Sequence, residues 1–434
     1  SVMKYWNKRK KYQLIYMLVD FVSAMLVWMA FLLFRWLVYE GRIFSINTVL
    51  IPMFNFYWPL LLYPLGCVLV YYLSGYYLRP LRKPYSRELR RTLISSMIIS
   101  IGAFFLFVID DPINGHYDRY LTSLLVLFAI QFVGCYFPRL LVTFIAHKLD
   151  DVAPRRYTIH SIDEVHEFEK AHAQHPYDEV ILDLRSETKE NDIYLLINRL
   201  YPANVEISVV PSLYDMLTGA AVIADVADQP LIPITEHKMS DAGLCIKRAF
   251  DVVVSLIALL LFSPVYLLVA LAVWSTSRGP IFYRQERIGL HGIPFNIVKF
   301  RTMRIHAEND TPQLSLHNDP RVTRVGKILR KYRLDELPQF WNILRGEMSI
   351  VGPRPERRYF INQIEEQAPY YCMIYKIRPG LTSWGPIRVG YTDTLDKMIR
   401  RLNYDIVYME NMSLGLDLKI MFYTLGVIFN GKGR

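Results

Sequence analysis

A chain of 434 residues that is 52% hydrophobic, with positive mean hydropathy and a net charge of +10, is too apolar for an ordinary soluble enzyme and long enough for two or three domains. The charge suits anionic lipid heads, phosphorylated substrates or nucleic acid, and charge alone does not choose among them. The cysteines Cys67, Cys135, Cys245 and Cys372 form no C-x-x-C pair, which excludes the common zinc and thiol-redox motifs, and His172 and His175 have no third ligand nearby for a metal.

Four apolar stretches fill the first third, near Tyr12–Tyr39, Val49–Ser74, Thr92–Ile109 and Tyr120–Ala146. Each is close to or above the ~20 residues that span a bilayer. The expectation is a four-helix transmembrane bundle over residues 1–150. Lys4, Lys8, Arg9, Lys10 and Lys11 precede the first stretch, and Arg79, Arg82, Lys83, Arg87, Arg90 and Arg91 crowd the connection between the second and third. Asp110, Asp111 and Asp118 make the next connection acidic, so the positive-inside bias puts both ends of the bundle in the cytoplasm. The opening "SVMKYW" reads as a non-native start at Ser1 and Val2, and no A-x-A-like cleavage site follows it.

Residues 151–238 turn polar. "RYTIHSI", "DEVILDL" and "VEISVVP" read as strands, with helical stretches near Asp163–Gln174 and Lys189–Leu200 between them. This predicts a small βαβαβ, Rossmann-like soluble domain. It lacks the glycines of a dinucleotide fingerprint and has no P-loop, so a scaffolding or regulatory module is favoured over a nucleotide site.

A fifth apolar run covers Asp251–Trp274 and is long enough to cross the membrane. Lys247 and Arg248 precede it while Arg278, Arg284 and Arg287 follow, so the charge bias puts both flanks on the cytoplasmic side. Ser263-Pro264 stands at its middle, where proline removes a helix hydrogen bond and serine can satisfy the freed carbonyl. The reading is a re-entrant helix over about 246–275 that turns at Ser263-Pro264, with a kinked spanning helix as the alternative. Residues 239–434 then form one membrane-seated domain, ending in a short amphipathic tail over Asp417–Phe429.

This last domain is dense in cations: Lys299 and Arg301 end a strand-like run, and Arg321, Arg324, Lys327, Arg330 and Lys331 precede "LDELPQ". Such a surface either attracts lipid headgroups, at about 1 kcal/mol per cation, or handles phosphate. The adjacent carboxylates Asp335 and Glu336 favour the second, because phosphoryl chemistry uses carboxylates to hold Mg²⁺ or to attack phosphorus. Asp335 falls where an N-cap is expected for a helix "ELPQFWNIL", with Pro338 in the first turn; taken alone, Asp335 is better read as an ordinary cap. In "GPRP", prolines on both sides of Arg354 pre-aim its guanidinium for phosphate.

Together, "KRAFDVVVSLIALLLFSP", "KFRTM", "LDELPQFWNILRGEMSIVGPRP" and "RPGLTSWGP" resemble the catalytic domain of bacterial monotopic phosphoglycosyl transferases, the bacterial sugar transferase family. The N-terminal bundle and small domain resemble its large subgroup, polyprenyl-phosphate hexose-1-phosphate transferases that begin capsule, exopolysaccharide or O-antigen synthesis. The resemblance implies a membrane α+β protein with a monotopic catalytic domain, multi-pass in the bacterial inner membrane with that domain cytoplasmic. It implies that Asp335 is the nucleophile, that Asp335 and Glu336 hold Mg²⁺, and that Lys299, Arg301, Arg330 and Arg354 contact phosphate or nucleotide. A UDP-sugar and a polyprenyl (undecaprenyl) phosphate would be the substrates, with membrane lipids as partners and UMP as a product.

The chain departs from many relatives where Gly-Trp-Ala-Gln-Val is replaced by Ser383-Trp384-Gly385-Pro386, so sugar specificity does not carry over, and Trp384 is expected in the core. The competing classes are a non-catalytic membrane scaffold of polysaccharide assembly, opposed by the intact Asp335, Glu336, Lys299 and Arg354, and a nucleic-acid binder, opposed by the lack of any recognition motif. The two extra modules suggest an assembly role, with a homodimer expected.

Overall fold

The computed structural model describes residues 2–38, 52–78, 85–107, 117–149, 155–175, 177–184, 190–203, 205–212, 230–234, 239–276, 279–304, 319–390 and 394–429. The charged connections at 79–84 and 108–116, and Arg278, lie outside them. The chain parts into two compact units, Ser1–Ala153 with Asp241–Ile246, and Pro154–Ser240 with Lys247–Arg434.

The first unit holds α1 (Val2–Val38), α2 (Pro52–Leu73), α3 (Tyr85–Phe107) and α4 (Tyr117–Leu149), packed as α1 on α2 and α4, and α3 on α2 and α4. Three of these are long and apolar enough to cross a membrane, over Lys10–Arg35, Glu88–Phe107 and Tyr120–Ala146; α2 contributes a shorter apolar segment, Trp58–Leu73. Leucines such as Leu14, Leu18, Leu61, Leu106 and Leu121 face outward, as a lipid-facing surface requires. Inside, beside a core that includes Val27, Trp28, Phe31, Ile99 and Leu127, lies a network of buried charges and hydroxyls. Arg139 and Asp20 are fully buried and joined by two bonds of 2.6 and 2.8 Å. The Arg139 guanidinium lies 3.6 Å from the Tyr71 ring centre and 4.0 Å from that of Tyr76, and donates to Thr92 Oγ1 at 3.1 Å. Glu88 accepts from Tyr76 at 2.5 Å and Thr143 at 3.0 Å, and Asp20 also accepts from Tyr77 at 2.6 Å. Each charge is thus met by an opposite charge or hydroxyl donors, which is the condition for burying it at all.

The second unit opens on three parallel strands in spatial order, β1 (Arg156–Ile159), β2 (Glu179–Leu182) and β3 (Glu206–Val209), with β4 (Ile232–Pro233) antiparallel on β3. The crossovers carry α5 (Val165–Gln174) and α6 (Glu190–Leu200). Their residues Val165, Phe168, Leu196 and Leu200 join Ile159, Val180, Leu182 and Ile207 in a core that continues into Phe360, Ile364, Tyr371, Tyr375 and Leu402.

Two apolar helices, α7 (Asp241–Leu261) and α8 (Ser263–Thr276), meet at a bend of 61°. The cause is legible in the chain. Pro264 has no N–H to give the Leu260 carbonyl, and Ser263 Oγ donates to that same oxygen at 2.8 Å. Leu256, Leu260, Leu261, Leu267, Leu268, Leu271 and Trp274 are exposed, whereas Val269 and Val273 on α8 pack with Phe300, Leu329, Leu334 and Leu337.

The rest of the unit comprises the hairpin β5 (Phe282–Ile288) and β6 (Pro294–Phe300), then α9 (Arg324–Lys331), α10 (Gln339–Arg345), β7 (Ser349–Val351), α11 (Arg358–Gln367), β8 (Gly380–Thr382), α12 (Trp384–Val389), α13 (Leu395–Glu410) and α14 (Leu414–Phe429). β7 and β8 pair in parallel, Ser349 on Gly380 and Val351 on Thr382. The backbones cross so closely there that a Cβ on Gly380 would lie 2.2 Å from Gly352 N. Glycine is therefore required, and the crossing fixes where Arg354 leaves the sheet.

Candidate active site

Lys299 stands on β6, paired across the hairpin with Tyr283. Asn342 of α10 staples that strand, accepting from Val298 N at 3.0 Å and donating to Asn296 O at 2.8 Å. Just after β6, Thr302 anchors α9: its carbonyl accepts from Thr323 N at 3.0 Å, and a Cβ on Gly326 would lie 2.1 Å from that oxygen. Thr323 caps α9 by accepting from Gly326 N at 3.0 Å.

Asp335 does not cap a helix, contrary to the sequence expectation. It is the middle residue of a 3-10 turn, Leu334–Glu336, and α10 begins only at Gln339, behind Pro338. Pro338 has no N–H and its ring crowds the carbonyl four residues back, so the preceding segment tightens into i+3 bonds: Glu336 N to Arg333 O at 3.2 Å and Leu337 N to Leu334 O at 3.4 Å. Arg333 enters the turn in the left-handed region, φ 56°, which costs a residue with a Cβ about 1–2 kcal/mol. Tyr266 of α8 holds the far side, its hydroxyl donating to Leu337 O at 2.6 Å.

The turn delivers two buried carboxylates with opposite surroundings. Glu336 Oε1 accepts from Lys299 Nζ at 2.9 Å and lies 3.7 Å from Arg354 Nη2; Oε2 accepts from Arg333 Nη1 at 3.2 Å. Burial opposes its charge, but Lys299, Arg333 and Arg354 outweigh that and hold the Glu336 carboxyl well below the usual carboxylate range. Asp335 makes no hydrogen bond or ion pair among the described residues. Burial, then the neighbouring Glu336 charge, raise its pKa against the pull of Lys299, Arg330 and Arg333. Burial also lowers the pKa of Lys299, with Glu336 opposing.

Of the residues singled out from sequence, Lys299, Asp335, Glu336 and Arg354 come together. Arg330 is near enough to Asp335 to act on its carboxyl, while its Nε donates to Thr302 Oγ1 at 2.8 Å. Arg301 is buried, with its backbone N–H on Ile281 O at 2.9 Å. Ser263 and Pro264 form the bend between α7 and α8 rather than part of this cluster. Ser383 is buried and donates to Asp405 at 2.5 Å, whereas Trp384, expected in the core, is half-buried with its ring edge-on to Tyr404.

Sequence reasoning missed Arg333, Asn342, Gln339 and Arg287. Arg287 donates to Pro355 O at 3.2 Å and Glu356 at 3.1 Å, and Glu356 in turn is bonded by Arg401. In sequence its run "QERIG" stands out only by its charge. Arg333 and Gln339 flank "LDELP" directly, but neither periodicity nor the charge pattern marks either of them out.

Among the described residues no three carboxylate, histidine or cysteine side chains converge on one point. Mg²⁺ commonly takes one or two carboxylates and fills its octahedron with substrate phosphates and water. Asp335, which has no other partner, fits that pattern; Glu336 is already matched by cations.

The family model described as bacterial sugar transferase matches residues 242–431. The UDP-N-acetylgalactosamine-undecaprenyl-phosphate N-acetylgalactosaminephosphotransferase of Aeromonas hydrophila is 36% identical over 257 residues, 59% of this chain and 60% of that protein. A UDP-glucose:undecaprenyl-phosphate glucose-1-phosphate transferase of Caulobacter vibrioides is 45% identical over 183 residues, 41% of this chain and 68% of that protein. The exopolysaccharide production protein ExoY of Rhizobium meliloti is 38% identical over 217 residues, 46% of this chain and 93% of that protein. The chain spans 60% of the Aeromonas relative and half of a Klebsiella pneumoniae relative. A protein that it covers almost end to end and a matched model over the bent helices and the charged turn lead to one conclusion: the chain belongs to the bacterial sugar transferase family.

Proposed function

We propose that the protein transfers a sugar-1-phosphate from a UDP-sugar to a polyprenyl phosphate, giving a polyprenyl-diphospho-sugar and UMP. The observation that carries this reading is a buried Asp335 carboxylate with no hydrogen-bond or ion-pair partner among the described residues, set beside a carboxylate ringed by Lys299, Arg333 and Arg354. The relatives named above as phosphotransferases support the substrate classes.

In the reaction Asp335 attacks the phosphorus that bears the sugar. The bond from that phosphorus to the bridging oxygen breaks, and UMP leaves with the electron pair. An oxygen of the polyprenyl phosphate then attacks the phosphosugar-aspartyl ester, and the Asp335 carboxylate is released unchanged. Covalent catalysis of this kind splits one difficult transfer between anions into two. Lys299, Arg354 and Arg330 balance the charge of the diphosphate, and Glu336 keeps Lys299 and Arg354 aimed. Magnesium, held by Asp335 with Glu336 as its neighbour, would supply charge neutralisation at the diphosphate.

The bent pair α7 and α8 is read as a re-entrant helix, its exposed leucines in lipid, which brings a lipid phosphate to the level of Asp335. The first unit is read as a four-span bundle in the bacterial inner membrane, with the transferase domain cytoplasmic and the protein a homodimer. The starting step of an exopolysaccharide or related glycan is the pathway position that the ExoY relative supports. The test is UMP release by the full-length protein from a panel of UDP-sugars with added polyprenyl phosphate. Turnover of one sugar nucleotide supports the reading, and no UMP from any of them overturns it. Labelling of cysteines introduced after Pro264 from the periplasmic side would overturn the re-entrant arrangement.

A further inference from the structure

We propose that Gln339 is a substrate-contacting residue whose side-chain amide donates to a non-bridging oxygen of the sugar nucleotide's diphosphate. The proposal rests on the transferase reading and adds to it a residue that charge arguments do not find. Gln339 is the first residue of α10, one turn beyond Glu336, and only 2% exposed. Its Nε2 has no hydrogen-bond partner among the described residues. A buried amide without a partner is costly, and native proteins rarely keep one without a reason such as a ligand. Gln339 lines a recess shared with Arg287, Lys299, Glu336 and Arg354.

The neighbours indicate what enters that recess. Lys299 and Arg354 both face Glu336 Oε1. The two terminal nitrogens of Arg287 are taken by Pro355 O, Glu356 and Gln285, while its buried Nε has no partner among the described residues. Two unused N–H donors within a rim of cations suit an anion with several oxygens. A diphosphate offers them, whereas a uracil ring or a sugar hydroxyl gains little from the cations. The amide adds a hydrogen bond without a further charge, so it grips phosphate without holding the leaving UMP as a cation would.

The experiment uses full-length protein and the variants Gln339→Met and Gln339→Glu. Methionine fills the same space and removes the buried donor, so the unliganded Gln339→Met protein is expected to melt at the wild-type temperature or above it. Its KM for the sugar nucleotide should rise about tenfold or more, the worth of one hydrogen bond to a charged group. Stabilisation by added UDP should shrink, while any stabilisation by uridine should not. Gln339→Glu should lose still more, since it sets a carboxylate against phosphate. A Gln339→Met protein with wild-type KM and UDP response, or one whose loss is equal for uridine, overturns the proposal while wild-type UMP release leaves the transferase reading standing. Wild-type protein that releases no UMP from any UDP-sugar overturns both.

Discussion

The two units each bury a cluster of charge, and the clusters differ in whether they are closed. In the helical unit Arg139 is bonded twice to Asp20, sandwiched by Tyr71 and Tyr76 and tied to Thr92, while Tyr76 and Thr143 satisfy Glu88. In the second unit Glu336 collects Lys299, Arg333 and Arg354, but Asp335 and the Gln339 amide have no partner among the described residues. A closed network lowers the energy of one helix arrangement. An open one spends folding stability to keep groups ready for a ligand.

The contrast is broken most severely at Asp335. Asp335→Asn should reduce UMP release by at least about 10⁴-fold, as loss of a nucleophile does, yet leave the melting temperature equal or higher because a partnerless buried charge is removed. A variant that keeps turnover would move the nucleophile elsewhere. In the closed cluster the pattern reverses. Arg139→Met strands Asp20 and should cost about 3–5 kcal/mol of stability, read as loss of folded protein in detergent, whereas Asp20→Leu with Arg139→Met should recover most of it. UMP release per folded molecule should stay constant across that series; a selective loss of rate would mean that the helical cluster takes part in the chemistry.

The pH response sharpens the same point within the dyad. In the proposed reaction only ionised Asp335 attacks phosphorus, and its pKa is raised by burial and then by Glu336, so the rate should fall with acidification earlier than an ordinary carboxylate would dictate. Glu336→Gln removes the neighbouring charge and should move that acid limb to lower pH, whatever it does to the height of the profile. A limb that moves up, or does not move, contradicts the assignment. For stability the signs oppose. Glu336, depressed, stabilises the fold above its unfolded pKa and loses that as pH falls through its folded value. Asp335, raised, favours the fold at acid pH and loses that contribution as pH rises through its folded value. The smallest effect is expected from Tyr266→Phe, which deletes the 2.6 Å bond to Leu337 O at a cost of about 1 kcal/mol and a severalfold drop in rate, measured as kcat at saturating substrate.

Long periodic or apolar segments were legible in the sequence: the strands around Thr158, Ile181 and Ile207, and the bend at Ser263-Pro264; that Lys299, Glu336 and Arg354 share one site followed only from the family resemblance. Local backbone chemistry was less so. The N-cap expected at Asp335 failed because Pro338 delays the α-ladder and compresses the turn before it, which no apolar periodicity reveals. Arg333 was passed over because a left-handed φ is a property of the folded turn, and nothing in "KYRLDE" marks it. Gln339 and Arg287 were missed for another reason: their significance lies in bonds they do not make, and only the packed structure shows which donors are left over.

The central claim is the covalent role of Asp335. Full-length protein incubated with its UDP-sugar in the absence of polyprenyl phosphate, then digested and weighed, should carry one phosphosugar on the peptide containing Asp335. Adding polyprenyl phosphate should remove it, and Asp335→Asn should never acquire it. UMP release at the wild-type rate with no adduct on that peptide, or an adduct that persists in Asp335→Asn, would contradict the account.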